Sequence, residues 1–395
     1  MLTAVVAVSF TACGGRSEHA KKLNIDTAVS INIWYQDDAY TSYLDYIAQQ
    51  FHKANEFITV NLVKVEENNL LDAVYNGSIA QNNVADVYLM EASDMQRAYL
   101  MGLTAENDAY TQYYSQKHFP VTAVNAACYE GKLYGYPVTF HTAVMVYNKK
   151  YTTAPENFEQ IEAFLNSYQV TDENKDVNMI VGWDTQDLWT NYAFGGSYVD
   201  NGGAQGEDAE SDVQTEALKA AMTEYAALQN TFGIVDKTQE EYKQMFINNQ
   251  LIYTILDSTQ LADLNASGVD YGICAVPGAK TGFGTQSLSD TTLAMVNPYS
   301  ENTDTAKAVA QAISYDYADL LEKDTGYISA RTDVADKNKK VLYQPLYEVY
   351  AKSDSYAKYI GADEFYVRYS ILLHNIWKGE DLNESVDAFI KAVSR

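Results

Sequence analysis

Basic residues are scarce in this chain: 27 Lys and Arg stand against 53 Asp and Glu, for a formal net charge of −26. A surface this acidic repels phosphate backbones, which argues against a nucleic-acid partner. It also argues against docking on anionic lipid by charge alone. A cationic ligand is compatible with it but not required. Cysteines number three in 395 residues, too few for a disulfide scaffold. Cys128 and Cys274 lie in apolar, strand-like contexts (N-A-A-C-Y and G-I-C-A-V) and read as buried free thiols, a disulfide between distant pieces of chain being the alternative. Neither shows the paired Cys/His spacing of a zinc site. G-x-S-x-G, H-E-x-x-H, Walker A and G-x-G-x-x-G are all missing. Paired carboxylates can hydrolyse glycosides, but no motif pairs the ones here. The chain therefore reads as a protein that is not an enzyme and uses no metal or cofactor.

Long apolar runs are missing too. The first, residues 2–10, is far short of the ~20 residues of a spanning helix, and no later stretch qualifies. It leads into F-T-A-C-G-G, where small residues precede Cys13. That arrangement resembles a bacterial lipoprotein signal, which implies cleavage and acylation at Cys13. Phe10 stands where Leu is usual, and no basic stretch precedes the run. An earlier start than Met1 is one reading of this; an ordinary signal peptide or a short buried segment are others. Residues 14–28 are polar and small and read as a linker. On this reading residues 1–28 are leader and linker, and the mature chain is soluble, tethered to the outer face of a bacterial membrane by lipid alone.

What is present is a globular composition of a length that predicts two domains. Residues 31–35 predict a strand, 42–55 a helix, 58–65 a strand, 70–80 a helix and 84–90 a strand. This β-α-β-α-β start implies parallel strands with right-handed crossovers. In such sheets ligands bind beyond the carboxyl ends of the strands. Two stretches therefore point at a site: Gln36 to Tyr40, and Glu91 to Asp94. Further along, Asp184 to Asp187 precede Trp189 after a predicted strand at 179–183, and Asp257 ends a buried strand at 251–256. Gly195-Gly196 predicts a loop. The most informative stretch is 131–148. Two short strands, 133–136 and 143–147, flank Val138 to His141. Pro137 cannot donate to a central ladder, so the first run is expected to end there. A segment of this kind can leave one sheet and enter another.

The same stretch, G-K-L-Y-G-Y-P-V at 131–138 followed by V-M-V-Y-N-K-K-Y at 144–151, resembles the first lobe-crossing segment of the extracellular solute-binding proteins of ABC importers, the maltose-binding-protein-like group. Other pieces agree in order: I-N-I-W-Y at 31–35, A-D-V-Y at 85–88, G-G at 195–196, F-I-N-N-Q at 246–250, and W-K-G-E-D-L-N-E-S-V-D-A-F at 377–389. The resemblance implies an α/β fold of two lobes, periplasmic-binding-protein-like. Each lobe is expected to be a mostly parallel sheet flanked by helices, with three hinge crossings near 138–143, 285–291 and 328–333. Residues 29–139 plus 288–330 would form the N-terminal lobe, and 140–287 plus 331–395 the C-terminal lobe.

Candidate ligand-binding residues come from both lines. Asp37, Asp38, Glu91, Asp94, Asp184, Asp187 and Asp257 sit at predicted strand ends with Tyr35, Gln36, Tyr40 and Trp189 nearby. Carboxylates accept paired hydrogen bonds from vicinal hydroxyls, and aromatic faces cover sugar C–H groups. Each aspartate is equally well read as a helix cap or a solvated charge. By resemblance, His141 falls near a crossing acid that touches sugar in maltose-binding proteins. Phe365, Tyr366 and Arg368 resemble a late aromatic-Arg stretch, with Asp363-Glu364 where aromatics are usual. Histidine in place of the acid at 141 argues against a maltose-like ligand, and the fewer stacking rings at 363–364 argue against a long maltodextrin. Arg368 is equally well read as a structural ion-pair partner. Trp34 and Trp377 read as core, and Trp34 or Tyr35 faces a helix layer.

The expectation is a monomer that captures a mono- or oligosaccharide between its lobes and hands it to ABC permease subunits. Alternatives are a polyamine or other cationic solute on the same fold, a glycan-hydrolysing enzyme, and an adhesin with an empty cleft.

Overall fold

The protein is described by a computed structural model that covers residues 23, 25–66, 69–202, 212–334 and 339–393. Its described strands, in chain order, are β1 (Val29–Tyr35), β2 (Ile58–Lys64), β3 (Val87–Glu91), β4 (Cys128–Tyr129), β5 (Lys132–Leu133), β6 (Tyr136–Asn148), β7 (Met179–Val181), β8 (Val199–Asp200), β9 (Asp212–Val213), β10 (Leu251–Asp257), β11 (Tyr271–Cys274), β12 (Leu288–Val296) and β13 (Asp354–Ser355). The main sheet runs β2-β1-β3-β12-β6-β10-β7, with β11 also on β6 and β13 on β12.

The first section forms as the residue pattern predicts. β1 pairs in parallel with β2 and β3. The helix Thr41–Ala54 buries Tyr43, Leu44, Ile47 and Phe51 on one face, a 3.6-residue spacing. The helix Leu70–Ala80 is capped by the Asn69 side chain, which accepts from the Asp72 amide. Trp34 packs beneath it among Leu70, Leu71 and Val74, while Tyr35 turns to the other face, where its hydroxyl meets Thr41 Oγ1 at 2.9 Å. The sheet is mixed rather than mostly parallel, because β12 runs antiparallel to both β3 and β6, and β10 and β11 run antiparallel to β6.

The 131–148 stretch differs from its expected form. It holds one continuous 13-residue strand, β6, not two strands with a break. Pro137 is tolerated because the register slips beside it: Thr292 pairs with Thr139, Leu293 with Pro137, and Val138 is the extra residue of a bulge. The Pro137 carbonyl accepts from Ser314 Oγ at 2.5 Å.

β6 changes partner along its length. Tyr136 to Thr142 pair with β12; Ala143 to Tyr147 pair with β10. At the change, Thr142 Oγ1 donates to Leu288 O (2.8 Å) and Ser287 Oγ donates to Ala143 O (2.9 Å). A third passage lies alongside, with Ala330 N donating to Val138 O at 2.9 Å and Ser329 bridged to Thr139. Three passages of chain therefore run together where the two sheet sections meet.

In the second section all seven residues of β10 are buried, which fits its apolar run. Trp183, Phe158, Phe194, Tyr225 and Trp377 form an aromatic core beside it. Trp183 Nε1 and the Tyr225 hydroxyl both donate to Asn191 Oδ1, at 2.9 and 2.8 Å. Gly195 and Gly196 end the helix Leu188–Gly196 rather than marking a loop. They are glycines for space: a Cβ on Gly196 would run into the Gln286 carbonyl, and one on Gly195 into the Tyr369 hydroxyl.

Candidate functional site

Three strand ends and one strand middle converge. β1 ends at Tyr35 and enters a tight turn, Asp38–Tyr40, capped by Asp37, whose Oδ1 accepts the Ala39 amide at 2.9 Å. β3 ends at Glu91. β10 ends at Asp257, whose Oδ1 accepts from Thr259 N (2.9 Å) and Oγ1 (2.7 Å). The middle of β6 contributes His141. Around them lies a cleft of about 380 Å³.

The cleft floor follows from strand register. Side chains two apart on a strand share a face. Glu91 pairs with Thr292, and Thr292 with Thr139, making one polar row across β3, β12 and β6. Asp290 and His141 pair in the next row. The Tyr40 hydroxyl joins the first row, 2.5 Å from Thr139 Oγ1 and 3.3 Å from Thr292 Oγ1. Thr292 Oγ1 donates to Glu91 Oε1 at 2.9 Å. Glu91 Oε2 is buried and has no hydrogen-bond partner. Tyr327, from the third passage, donates to Asp37 Oδ2 at 2.6 Å and packs its ring on Tyr40. The opposite face is apolar in character, with Phe140 stacked on Tyr350 at 3.8 Å.

His141 is the cationic centre of the floor. Its Nδ1 lies 2.9 Å from Asp257 Oδ2. Burial alone would lower its pKa, but the charge and hydrogen bond of Asp257, with Glu91 and Asp290 behind, push it up to about 9. Asp257 is held below the usual carboxylate range, since His141 and Thr259 outweigh its burial. Glu91 is pushed up to about 7, by burial first and the Asp290 carboxylate second, with His141 opposing. The imidazole also packs against Trp189, ring centres 4.4 Å apart, close enough for a cation–π contact. Trp189 stacks on Tyr356 (5.7 Å), and Tyr356 on Tyr366 (3.8 Å). An aromatic column thus runs from the floor into the second section.

Of the residues singled out in the sequence, Tyr35, Gln36, Asp37, Tyr40, Glu91, Asp94 and His141 line the cleft. Asp257 and Trp189 stand directly behind His141. The others are not brought to it. Asp38 is exposed and pairs with Lys64 at 2.7 Å. Asp184 accepts from the Gln186 and Gln239 amides, and Asp187 caps the helix Leu188–Gly196 through the Thr190 amide. Both are caps and turn-formers, one of the readings open for them. Phe365 is core, packed on Tyr369 and Phe389. Tyr366 is buried under Tyr356, accepting from Ala357 N and Asn201 Nδ2. Arg368 is an exposed ion-pair partner of Glu364, one helical turn away. Cys13 lies outside the described residues. Cys128 and Cys274 are free thiols. Sequence reasoning missed Asp290, Thr292, Tyr327 and Tyr356. The first two belong to an unbroken polar run, Ser289 to Thr292, in the middle of β12, a run with no strand-like alternation to flag it in the sequence.

Among the described residues no helix is long and apolar enough to cross a membrane. The family model of bacterial extracellular solute-binding proteins matches residues 46–347. The chain is 22% identical over 294 residues to the maltodextrin-binding protein MdxE of Bacillus subtilis (strain 168), covering 69% of this chain and 67% of that protein. In structure it is similar to a cyclo/maltodextrin-binding protein complexed with maltotetraose: TM-score 0.75, 16% identity, 94% of this chain and 98% of that one. It is equally similar to an extracellular solute-binding protein from Staphylococcus aureus in complex with maltose: TM-score 0.75, 18% identity, 93% and 98%. These likenesses show the two-lobed fold. With three-quarters of its length matched by the family model, the chain is a member of the bacterial extracellular solute-binding proteins, a family of binding proteins rather than enzymes.

Proposed function

We propose that the protein captures a carbohydrate of the maltodextrin class in the inter-lobe cleft and delivers it to the permease of an ABC importer. The observation that carries this reading is the cleft floor: a polar row ending in carboxylates, walled by Tyr35, Tyr40 and Tyr327 and backed by Trp189. Such a surface offers acceptors for hydroxyls and flat faces for sugar rings. The names of its relatives, binding proteins for maltodextrin and maltose, favour the same ligand class. Micromolar capture needs about 8 kcal/mol, within reach of several hydrogen bonds and two stacked rings.

On this reading the lobes are residues 29–139 with 288–330, and 140–287 with 331–395. They rotate about the three adjacent passages, and closure adds contacts from the second lobe. A lipid on Cys13 would hold the protein at the outer face of the membrane beside its permease.

The excess of carboxylates around the floor favours a second reading, a polyamine or similar cation. Thermal melting with a panel of maltodextrins, other sugars, spermidine and putrescine separates the two. A ligand at a hundredfold excess over its Kd stabilises by about 2.7 kcal/mol. A shift with maltodextrins that survives high salt supports the first reading. A shift with polyamines alone, lost in salt, replaces it.

A further inference from the structure

Asp37 is exposed in the wall of the cleft, and its two carboxylate oxygens are held by different parts of the chain. Oδ1 accepts the Ala39 amide at 2.9 Å, a bond inside its own turn that suffices to make it a cap. Oδ2 accepts from the Tyr327 hydroxyl at 2.6 Å, a partner 290 residues further along. That is the short length of a hydroxyl–carboxylate bond. The first bond shapes the turn. The second joins the turn to the third passage and fixes the plane of a carboxylate that would otherwise be held at one oxygen only. Each oxygen of a carboxylate accepts two hydrogen bonds, so an acceptor position on each is left for a ligand.

Tyr327 is itself held from several sides. The helix Ala318–Thr325 ends at Gly326, whose φ of +79° is the left-handed conformation. A Cβ there would also lie 3.1 Å from the Cβ of Ala262, in the short helix Leu261–Ser267 that follows β10 in the second section. The Tyr327 amide donates to Thr325 Oγ1 at 2.9 Å, closing the turn out of the helix. The ring packs on Tyr40, centres 5.6 Å apart, and the Tyr40 hydroxyl is bonded to Thr139 and Thr292 in the floor. Two residues on, Ser329 is bridged to Thr139. The hydroxyl that reaches Asp37 is therefore carried by a closely held part of the third passage, where the two sections meet.

We propose that Tyr327 is a positioning residue for ligand capture: its hydroxyl holds the Asp37 carboxylate in the plane in which it accepts from a ligand hydroxyl. This rests on the carbohydrate reading above, with Asp37 touching the sugar. Ordering Asp37 before the ligand arrives removes a cost that binding would otherwise bear, and the difference appears as affinity. Because Tyr327 lies on the third passage, the same bond ties the orientation of Asp37 to the chain about which the lobes turn.

The test is a double-mutant cycle read twice, by calorimetric titration with maltotetraose and by thermal melting without ligand. The proteins are the wild type, Tyr327→Phe, Asp37→Ala and the double variant. Tyr327→Phe keeps the ring on Tyr40 and removes only the hydroxyl. It is expected to bind about threefold to tenfold more weakly, with a melting midpoint within about 2 °C of the wild type. In the Asp37→Ala background, itself weaker than the wild type, the same change is expected to weaken binding by less than about 1.5-fold. A tyrosine with a structural role alone would lower the midpoint and weaken binding equally in both backgrounds, and that result overturns the positioning role. So does Tyr327→Phe affinity within about twofold of the wild type, or Asp37→Ala affinity equal to it. Each of these leaves the carbohydrate reading standing. Absence of wild-type binding to maltotetraose overturns the carbohydrate reading, and the positioning role with it.

Discussion

His141 and Asp257 meet at 2.9 Å where β6 passes from one sheet section to the other. One comes from the crossing strand and the other from the end of β10, so the pair ties the passage to the second section. It is nearly enclosed, with 25% and 11% of the two side chains exposed. Removing one member of such a pair leaves the other charge buried, which costs about 3–5 kcal/mol. Asp257→Ala is therefore expected to lower unfolding free energy in urea by that amount. His141→Gln, which leaves Asp257 its Thr259 donors, is expected to cost less.

Stability is expected to fall as pH rises from about 5 to about 9. Glu91 and Asp354 have folded-state pKa values of about 7, raised above the ordinary 4.5 and 3.8 chiefly by burial. A raised pKa means the folded state holds the proton more tightly. That contribution is complete below the ordinary value and is lost as pH rises through about 7. His141, raised from 6.5 to about 9, acts in the same direction: its contribution is complete below 6.5 and lost as pH rises through 9. Asp257, held low, loses its share only in strong acid. Thermal midpoints of the ligand-free protein across this span check the sign, and Asp354→Asn is expected to flatten the slope.

The first section and the positions of most elements were legible because local pattern and tertiary packing agree there. The amphipathic spacing of Tyr43, Ile47 and Phe51 and the apolar run of β10 each name their element and its buried side. Pro137 misled because its meaning is set by a partner: the bulge that accommodates it is visible only against Thr292 and Leu293. Strand-end position found six of the cleft residues, since carboxyl ends converge in this architecture, and the family resemblance supplied the seventh, His141. It could not distinguish Asp37, which serves as both cap and cleft wall, from Asp187, which is found only as a cap. Asp290 and Tyr327 escaped because they reach the cleft from strands and passages far away in sequence.

Trp189 caps the aromatic column at the His141 edge. Trp189→Ala is expected to weaken maltotetraose binding by at least about 2 kcal/mol, roughly thirtyfold. The check is calorimetric titration of a variant whose circular dichroism matches the wild type.

Arg368 and Tyr366 are expected to behave oppositely to each other. Arg368→Ala removes an exposed pair one turn apart and should change stability by less than about 0.5 kcal/mol and binding not at all. Tyr366→Phe removes the acceptor of the buried Ala357 amide and should cost about 1–3 kcal/mol in urea unfolding.

The most direct measurement is a titration of the wild-type protein with maltotetraose, and separately with spermidine, at low and high salt. Saturable one-to-one binding of maltotetraose in the micromolar range, unchanged by salt, is the expected result. Spermidine binding that collapses in salt, with no heat from maltotetraose, would contradict it and assign the acidic floor to a cation.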